Sequence, residues 1–209
     1  IFEKGRYSVN GTNHSVSINE VAHAAYVPHN YPLETLEPGL QDIAVYDPKA
    51  FAFSNGVHVC EIEIDPETGK TWLARYAAVD DIGTVINPMI ATGQVHGGVA
   101  QGFGQAILEH VAYDAESAQA LTGSFMDYAI PRASDLPLFV SEFDQSQPCT
   151  HNPLGAKGCG EAGTIAAPAA ITGAVLDALR SRGIASIDMP ITPFRIWEAI
   201  RSGSRTPGG

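Results

Sequence analysis

The chain has 209 residues, of which 44% are hydrophobic and 17% are charged. This length and composition argue against a disordered chain and are sufficient for a folded domain with a buried core. The formal net charge of −11 argues against nucleic acid or an anionic membrane surface as a partner.

Cysteine usage and hydropathy narrow the class of protein further. The three cysteines, Cys60, Cys149 and Cys159, are widely spaced and form no C-x-x-C motif. This pattern predicts reduced thiols in a cytoplasmic protein, with no zinc or iron–sulfur ligands within this chain. The absence of a signal peptide and of a run of about 18 apolar residues predicts neither export nor a membrane span.

The first elements are a hairpin and a capped helix. Asn10-Gly11 predicts the turn of a short hairpin. Ser17 and Glu20 have the spacing of a capping box, which predicts that a helix begins here and is stopped by Pro28.

A loop and a longer hairpin follow. Residues 27–56 are rich in Pro, Asn and Gly and are predicted as a loop with one strand near Ile43–Tyr46. VHVCEIEI and TWLARYAAVD flank the turn DPETGK and predict a hairpin. The alternation in its first strand predicts one buried face, carrying Cys60, Ile62 and Ile64.

A glycine-rich helix is predicted from Pro88 to Glu109, capped by Asn87. It includes GQVHGGVAQGFGQ, whose glycines are Gly93, Gly97, Gly98, Gly102 and Gly104. An interior glycine costs a helix about 0.5–1 kcal/mol relative to alanine, so this run needs a compensating interaction. Either the helix packs very closely against a neighbour, or the bare backbone admits a ligand that Gln94 contacts through its amide.

The remaining elements complete an α+β pattern with a mixed sheet and packed helices. The sequence predicts strands near His110–Tyr113 and Leu138–Phe143, an Ala-rich helix over 167–182 with Pro168 in its first turn, and a last helix capped by Thr192. No repeat or linker divides the chain, which predicts a single domain over 1–209 with residues 202–209 as a tail.

Glu161 stands out in the loop that precedes the Ala-rich helix. In NPLGAKGCGEAG it is surrounded by glycines and other small residues. It either complements the positive end of the helix dipole or works as a base beside a bulky ligand, and the glycines favour the base. Lys157, four residues earlier, is either solvated or able to meet a phosphate.

GQVHGG, DYAIPRASDLP and GCGEAG occur in an order that resembles the molybdopterin-binding large subunit of the xanthine dehydrogenase and aerobic carbon monoxide dehydrogenase family. VPHNYP and CEIEIDPETG resemble its carbon monoxide dehydrogenase-like branch. The resemblance runs from about residue 15 to residue 200. It implies that this chain is the C-terminal part of a molybdopterin-binding domain within a much longer subunit, and is inactive alone.

The resemblance also implies roles for individual residues. Glu161 matches the family's catalytic glutamate, the general base in attack on an electrophilic substrate carbon. Gln94 matches a glutamine that contacts the cofactor, and Gly158, Cys159 and Gly160 would lie against it. Cys159 is otherwise expected to be a small buried thiol. No residue of the chain is expected to ligate the metal, because the pterin holds it.

The implied activity is that of a molybdenum-dependent hydroxylase or dehydrogenase in a cytoplasmic multi-subunit assembly. Its cofactor would be molybdenum–molybdopterin in the cytosine dinucleotide form, with iron–sulfur clusters and FAD in partner subunits. Carbon monoxide, aldehydes and N-heterocycles all remain open as substrates. The alternatives are a non-catalytic assembly module and a binder of another small ligand.

Overall fold

The computed structural model describes residues 1–27, 29 and 32–203. They group into two compact units, residues 1–47 and residues 48–209, whereas the sequence predicted one domain. Each unit combines a three-stranded sheet with helical or loop segments. The predicted α+β class is confirmed, and the assignment of the whole chain to one domain stays a prediction.

The first unit contains the predicted hairpin and capped helix. Strands β1 (Phe2–Glu3), β2 (Arg6–Ser8) and β3 (Ser15–Ser17) form an antiparallel sheet, and helix α1 (Ile18–Tyr26) follows. The Ser17 hydroxyl accepts from the amide of Glu20, whose carboxylate accepts from the amide of Ser17. The capping box is therefore confirmed, while Pro28 lies outside the described residues.

The second unit is built on a mixed sheet. Strands β4 (Asn55–Ile64) and β5 (Thr71–Asp81) form the predicted antiparallel hairpin, and β6 (Val140–Phe143) pairs in parallel with β5. Residues at alternate positions of β4 face the core, as predicted; they include Cys60, Ile62 and Ile64.

Three helices complete the second unit. Helix α2 (Pro88–Phe103) is capped by Asn87 and continues into a π-helical turn, Gly104–Leu108. Helix α3 (Ala162–Leu179) packs against both α2 and β4, and helix α4 (Pro193–Gly203) follows the Thr192 cap. The core lies between these helices and the sheet, with the α2 and α3 side chains Val95, Val99, Phe103, Ala167, Ile171 and Val175 buried.

Two predicted strands are wrong. Ile43 and Val45 are 89% and 93% exposed, and residues 43–46 pair with no described strand. A short apolar run forms a strand only where a sheet edge is available to satisfy its backbone. Among the described residues, 110–113 form only an isolated bridge, between Tyr113 and Ala120. The amide of Ala112 donates to the Thr122 hydroxyl and so does not extend the pairing.

The boundaries of the last two helices also differ from the prediction. Helix α3 begins at Ala162, five residues early, so Pro168 lies inside the helix and not in its first turn. The segment 162–166 was predicted as loop, but it is helical and packs closely on α2 at Gly163. The predicted tail was wrong at Ser202 and Gly203, which belong to α4, while residues 204–209 lie outside the described part.

Helix α3 bears on the prediction that the chain has no membrane span. Residues Ala162–Arg182 are long and apolar enough to cross a bilayer by length and composition, which corrects the sequence-based statement that no such run occurs. A core helix passes the same test. Here one side of α3, including Ala167, Ile171 and Val175, is buried in the core.

Candidate functional site

The candidate site lies where the first half of α2 meets the loop that leads into α3. Gly97 follows Gln94 by three residues and Gly93 by four, and all three are exposed, so they share one exposed side of α2. A Cβ atom placed on Gly93 or Gly97 would meet no atom within 4 Å. This side of the helix is therefore bare backbone, with Gln94 as its polar side chain.

The loop brings Gly160 next to Gln94. A Cβ atom placed on Gly160 would have Gln94 Oε1 as its only neighbour within 4 Å, at 3.9 Å. One placed on Gly158 would meet only the carbonyl oxygen of Ala52, at 3.6 Å. The predicted site residues Gln94 and Gly160 are thus adjacent, and both glycines leave open space in front of the loop.

Glu161 occupies the N-cap position of α3, but its side chain caps nothing. The residue is exposed, and its carboxylate makes no hydrogen bond or ion pair with any described residue. Only its carbonyl oxygen is engaged, accepting from the amide of Ile165 at 3.0 Å. The carboxylate lies near the positive end of the helix and has its lone pairs free.

Cys159 is held beneath this surface. Its thiol is partly buried and donates a weak hydrogen bond to the carbonyl oxygen of Ala91, at 3.9 Å. Burial, with a smaller contribution from the Asp80 carboxylate, raises the pKa of the Cys159 thiol. The structure therefore favours a packing role for this side chain.

The glycines near Glu161 serve two purposes, which the sequence did not separate. Gly155 has φ +70° and lies in a tight turn against Thr84 and Pro148. A Cβ atom on Gly163 would lie 2.3 Å from the carbonyl oxygen of Val95, so this glycine allows α2 and α3 to touch. Only Gly158 and Gly160 provide the clearance that the sequence attributed to the whole loop.

Lys157 differs from both of its predicted interpretations. Its Nζ lies 2.5 Å from Asp81 Oδ2, and the two side chains are only 13% and 18% exposed. It is neither solvated nor directed at a phosphate. The hydrogen bond from Lys157, followed by one from the amide of Gly83, lowers the pKa of the Asp81 carboxyl.

Sequence reasoning also missed a buried polar network at the end of β5. His58 Nε2 lies 3.2 Å from Asp80 Oδ1, and His58 Nδ1 lies 2.8 Å from the Tyr76 hydroxyl. The His58 and Asp80 side chains are almost fully buried. The pair Asp80-Asp81 at the end of an apolar strand was the only signal, and nothing in the sequence connects it to His58 or Lys157.

Within the described residues, no group of three His, Cys, Asp or Glu side chains is arranged to hold a metal ion. A groove of about 550 Å³ lies at the other end of α3, lined by residues that include Asp177 and Arg180. It is remote in sequence and along the helix from Glu161. The candidate site is instead an open, glycine-lined surface with Gln94 and Glu161 at its border.

Comparison with known proteins gives close relatives for nearly the whole chain. It is 35% identical over 200 residues to the carbon monoxide dehydrogenase large chain of Hydrogenophaga pseudoflava, covering 96% of this chain and 24% of that one. It is 41% identical over 196 residues to subunit gamma of the 6-hydroxypseudooxynicotine dehydrogenase complex of Paenarthrobacter nicotinovorans, covering 92% and 24%.

Solved structures give the same result. The crystal structure of a Cu,Mo-CO dehydrogenase in its carbon monoxide reduced state matches with a TM-score of 0.82 and 34% identity, over 99% of this chain and 25% of that one. Quinoline 2-oxidoreductase from Pseudomonas putida 86 matches with a TM-score of 0.77 and 38% identity, over 96% and 25%. The chain spans about a quarter of the length of these relatives.

The family comparison matches residues 1–137, which include Gln94 and the bare side of α2, to the molybdopterin cofactor-binding domain. The longer pairwise similarities extend beyond that range into the Glu161 loop. Motif order and fold agree with this match. The chain belongs to the molybdopterin cofactor-binding domain family.

Proposed function

We propose that this chain forms part of the molybdenum-cofactor pocket of an oxidoreductase large subunit, with Glu161 as general base and Gln94 as a cofactor contact. The observation that carries the proposal is the position, beside bare backbone, of two polar side chains that bond to no residue in the described part of the chain. Gln94 adjoins Gly160, and Glu161 follows directly, in a chain of the molybdopterin-binding family.

The described residues fit such a cofactor. A pterin is flat and polar at its edges, so it requires a surface without side-chain bulk and with hydrogen-bonding groups at the border. Gly93, Gly97 and Gly160 leave that space, and the Gln94 amide can both donate and accept. When bound, the cofactor supplies the molybdenum and the redox chemistry, and the pterin holds the metal.

The residues of this chain would act by binding and by moving a proton. Gln94 would orient the cofactor edge beside Gly160. Glu161, whose carboxylate has no partner among the described residues, would accept the proton given up by the nucleophile that attacks the substrate carbon. General base catalysis of this kind contributes about 10²–10⁴-fold to the rate.

The finer assignments are part of the same proposal. Relatives named as a large chain and as a complex subunit support an assembly with further subunits. We propose iron–sulfur clusters and FAD in those subunits, the cytosine dinucleotide form of the pterin, and a cytoplasmic location. The substrate class stays open among carbon monoxide, aldehydes and N-heterocycles.

The test uses the assembled enzyme, with metal analysis by plasma mass spectrometry and turnover of carbon monoxide, an aldehyde and quinoline. Glu161→Gln should lower kcat by about 10²–10⁴-fold while molybdenum content is kept. Gln94→Ala should lower molybdenum content. Glu198→Gln and Gln147→Ala, exposed residues of the same types elsewhere, serve as matched controls and should change neither quantity.

Retained turnover in Glu161→Gln would refute the catalytic role. Unchanged molybdenum content and turnover in Gln94→Ala would refute the contact. An assembly that holds no molybdenum, or turns over none of the three substrates, would favour the assembly-module or other-ligand alternatives.

A further inference from the structure

The Glu161 loop is attached to the end of strand β5 through its earlier residues. The amide of Thr84 donates to the carbonyl oxygen of Gly155 at 2.9 Å, and the amide of Lys157 donates to that of Ile82 at 2.8 Å. Gly83 and Ala156 form a β-bridge between these contacts. The loop therefore starts from a fixed backbone position.

Between Lys157 and Glu161 the loop has fewer contacts, whereas directly after Glu161 helix α3 packs closely on α2 at Gly163. After Lys157, the amide of Gly158 donates to Ala52 O at 3.0 Å. The carbonyl oxygen of Cys159 accepts from the amide of Ala162 at 3.2 Å, and its thiol donates a weak bond. Gly160 adds no side chain. The ion pair between Lys157 and Asp81 is thus the last charged side-chain contact before the carboxylate, and it joins residues 76 positions apart in sequence.

This ion pair is unlike the exposed one on the same strand. The Glu61–Arg75 pair has a distance of 3.6 Å, and its side chains are 60% and 86% exposed, so it contributes little. The Lys157–Asp81 pair is shorter and mostly shielded from water, so loss of either partner leaves a poorly solvated charge. Asp81 is further fixed by the amide of Gly83, at 2.9 Å.

We propose that the Lys157–Asp81 ion pair is a positioning device that sets where the Glu161 carboxylate stands over the cofactor face of the site. The inference rests on the proposed function, because it presupposes that Glu161 is the general base. Lys157 and Asp81 are assigned no contact with substrate or cofactor. They act through the loop backbone. A displacement of a catalytic group by about 1 Å can cost about 10²-fold in rate.

The experiment compares variants of the assembled enzyme by kcat, KM, molybdenum content and hydrogen exchange of the 155–163 amides. Lys157→Met should lower kcat about 10–100-fold and speed exchange in that segment, with KM within about threefold and molybdenum content unchanged. Asp81→Asn, which keeps an acceptor for Lys157, should lower kcat measurably but by less than Lys157→Met does. The exchanged pair, Asp81→Lys with Lys157→Asp, should recover at least about tenfold over Lys157→Met.

Two controls make the outcomes distinguishable. Glu61→Gln breaks the exposed pair and should change nothing, and Glu161→Gln reports on the proposed function itself. Wild-type kcat in Lys157→Met, alongside an inactive Glu161→Gln, would overturn the positioning role and leave the proposed function standing. Loss of molybdenum in Lys157→Met would also overturn it, since the pair would then serve cofactor loading.

The remaining outcomes are equally decisive. Active Glu161→Gln would overturn the proposed function and, with it, this inference. If Lys157→Met fails to assemble, Asp81→Asn takes its place, and wild-type kcat in Asp81→Asn would overturn the inference.

Discussion

The two halves of helix α2 use glycine in opposite ways. In the second half, Cβ atoms on Gly98 and Gly102 would lie 2.8 Å from the amide nitrogen of Thr164 and 2.6 Å from Ala167 Cβ. In the first half, Cβ atoms on Gly93 and Gly97 would meet nothing within 4 Å. Packed glycines thus follow bare ones within a single helix.

The difference shows that the cost of glycine is offset by two kinds of neighbour. At Gly98 and Gly102 the close approach of α3 compensates for the lost helix propensity. At Gly93 and Gly97 no described residue does so. The proposed cofactor contact would explain why these bare glycines lie beside Gln94, whose side chain has no partner among the described residues.

The largest expected effect comes from adding a methyl group where α3 packs closely against α2. Gly163→Ala places a Cβ atom 2.3 Å from Val95 O and 2.9 Å from the amide nitrogen of Val99, so α2 and α3 must separate. We expect a loss of at least about 2 kcal/mol in the free energy of unfolding, because backbone cannot yield as a side chain does. An unchanged urea midpoint would show that the helices are not closely packed here.

A smaller effect of opposite sign is expected in the bare half. Gly97→Ala should raise the free energy of unfolding by about 0.5–1 kcal/mol, since alanine favours the helix and meets no neighbour. In the assembled enzyme the same variant should lower molybdenum content if this side carries the cofactor. Thermal unfolding and metal analysis measure the two effects.

Gly173→Ala is the matched control. Gly173 is an exposed glycine of α3 with nothing within 4 Å, so its substitution should stabilise the chain to a similar extent and leave molybdenum content unchanged. Equal molybdenum content in the Gly97 and Gly173 variants would contradict a cofactor role for the bare half.

The pH dependence of stability tests how well water is excluded on the packed side of α3. The Cys60 thiol donates to the carbonyl oxygen of Ala170 at 3.3 Å, and burial raises its pKa from 9.0 to about 11. Because the charged form is disfavoured in the folded state, the free energy of unfolding should fall as the pH rises from about 9 towards 11. Comparing wild type with Cys60→Ala at pH 7 and pH 10 should show a difference of about 1 kcal/mol. Parallel pH profiles would indicate a solvated thiol.

Much of the second unit could be predicted from the sequence, because its signals are local. Period-two alternation gave the β4–β5 hairpin, and Asn87-Pro88 and Thr192-Pro193 gave two helix starts. The strand predicted near Ile43–Tyr46 failed because pairing depends on a partner that local pattern does not specify. The early start of α3 was missed for a similar reason, since Gly163 is helical only because α2 lies against it.

The sequence by itself determined the class of fold, the capping residues, and Glu161 and Gln94 as candidates, since these follow from residue type, spacing and motif order. Only the tertiary structure decided which glycines are bare and which are packed, and that Lys157 is paired with Asp81. The physical reason is that propensity and capping act within a few residues. Close approach of backbones and shielding of a charge depend instead on segments that meet only when the chain has folded.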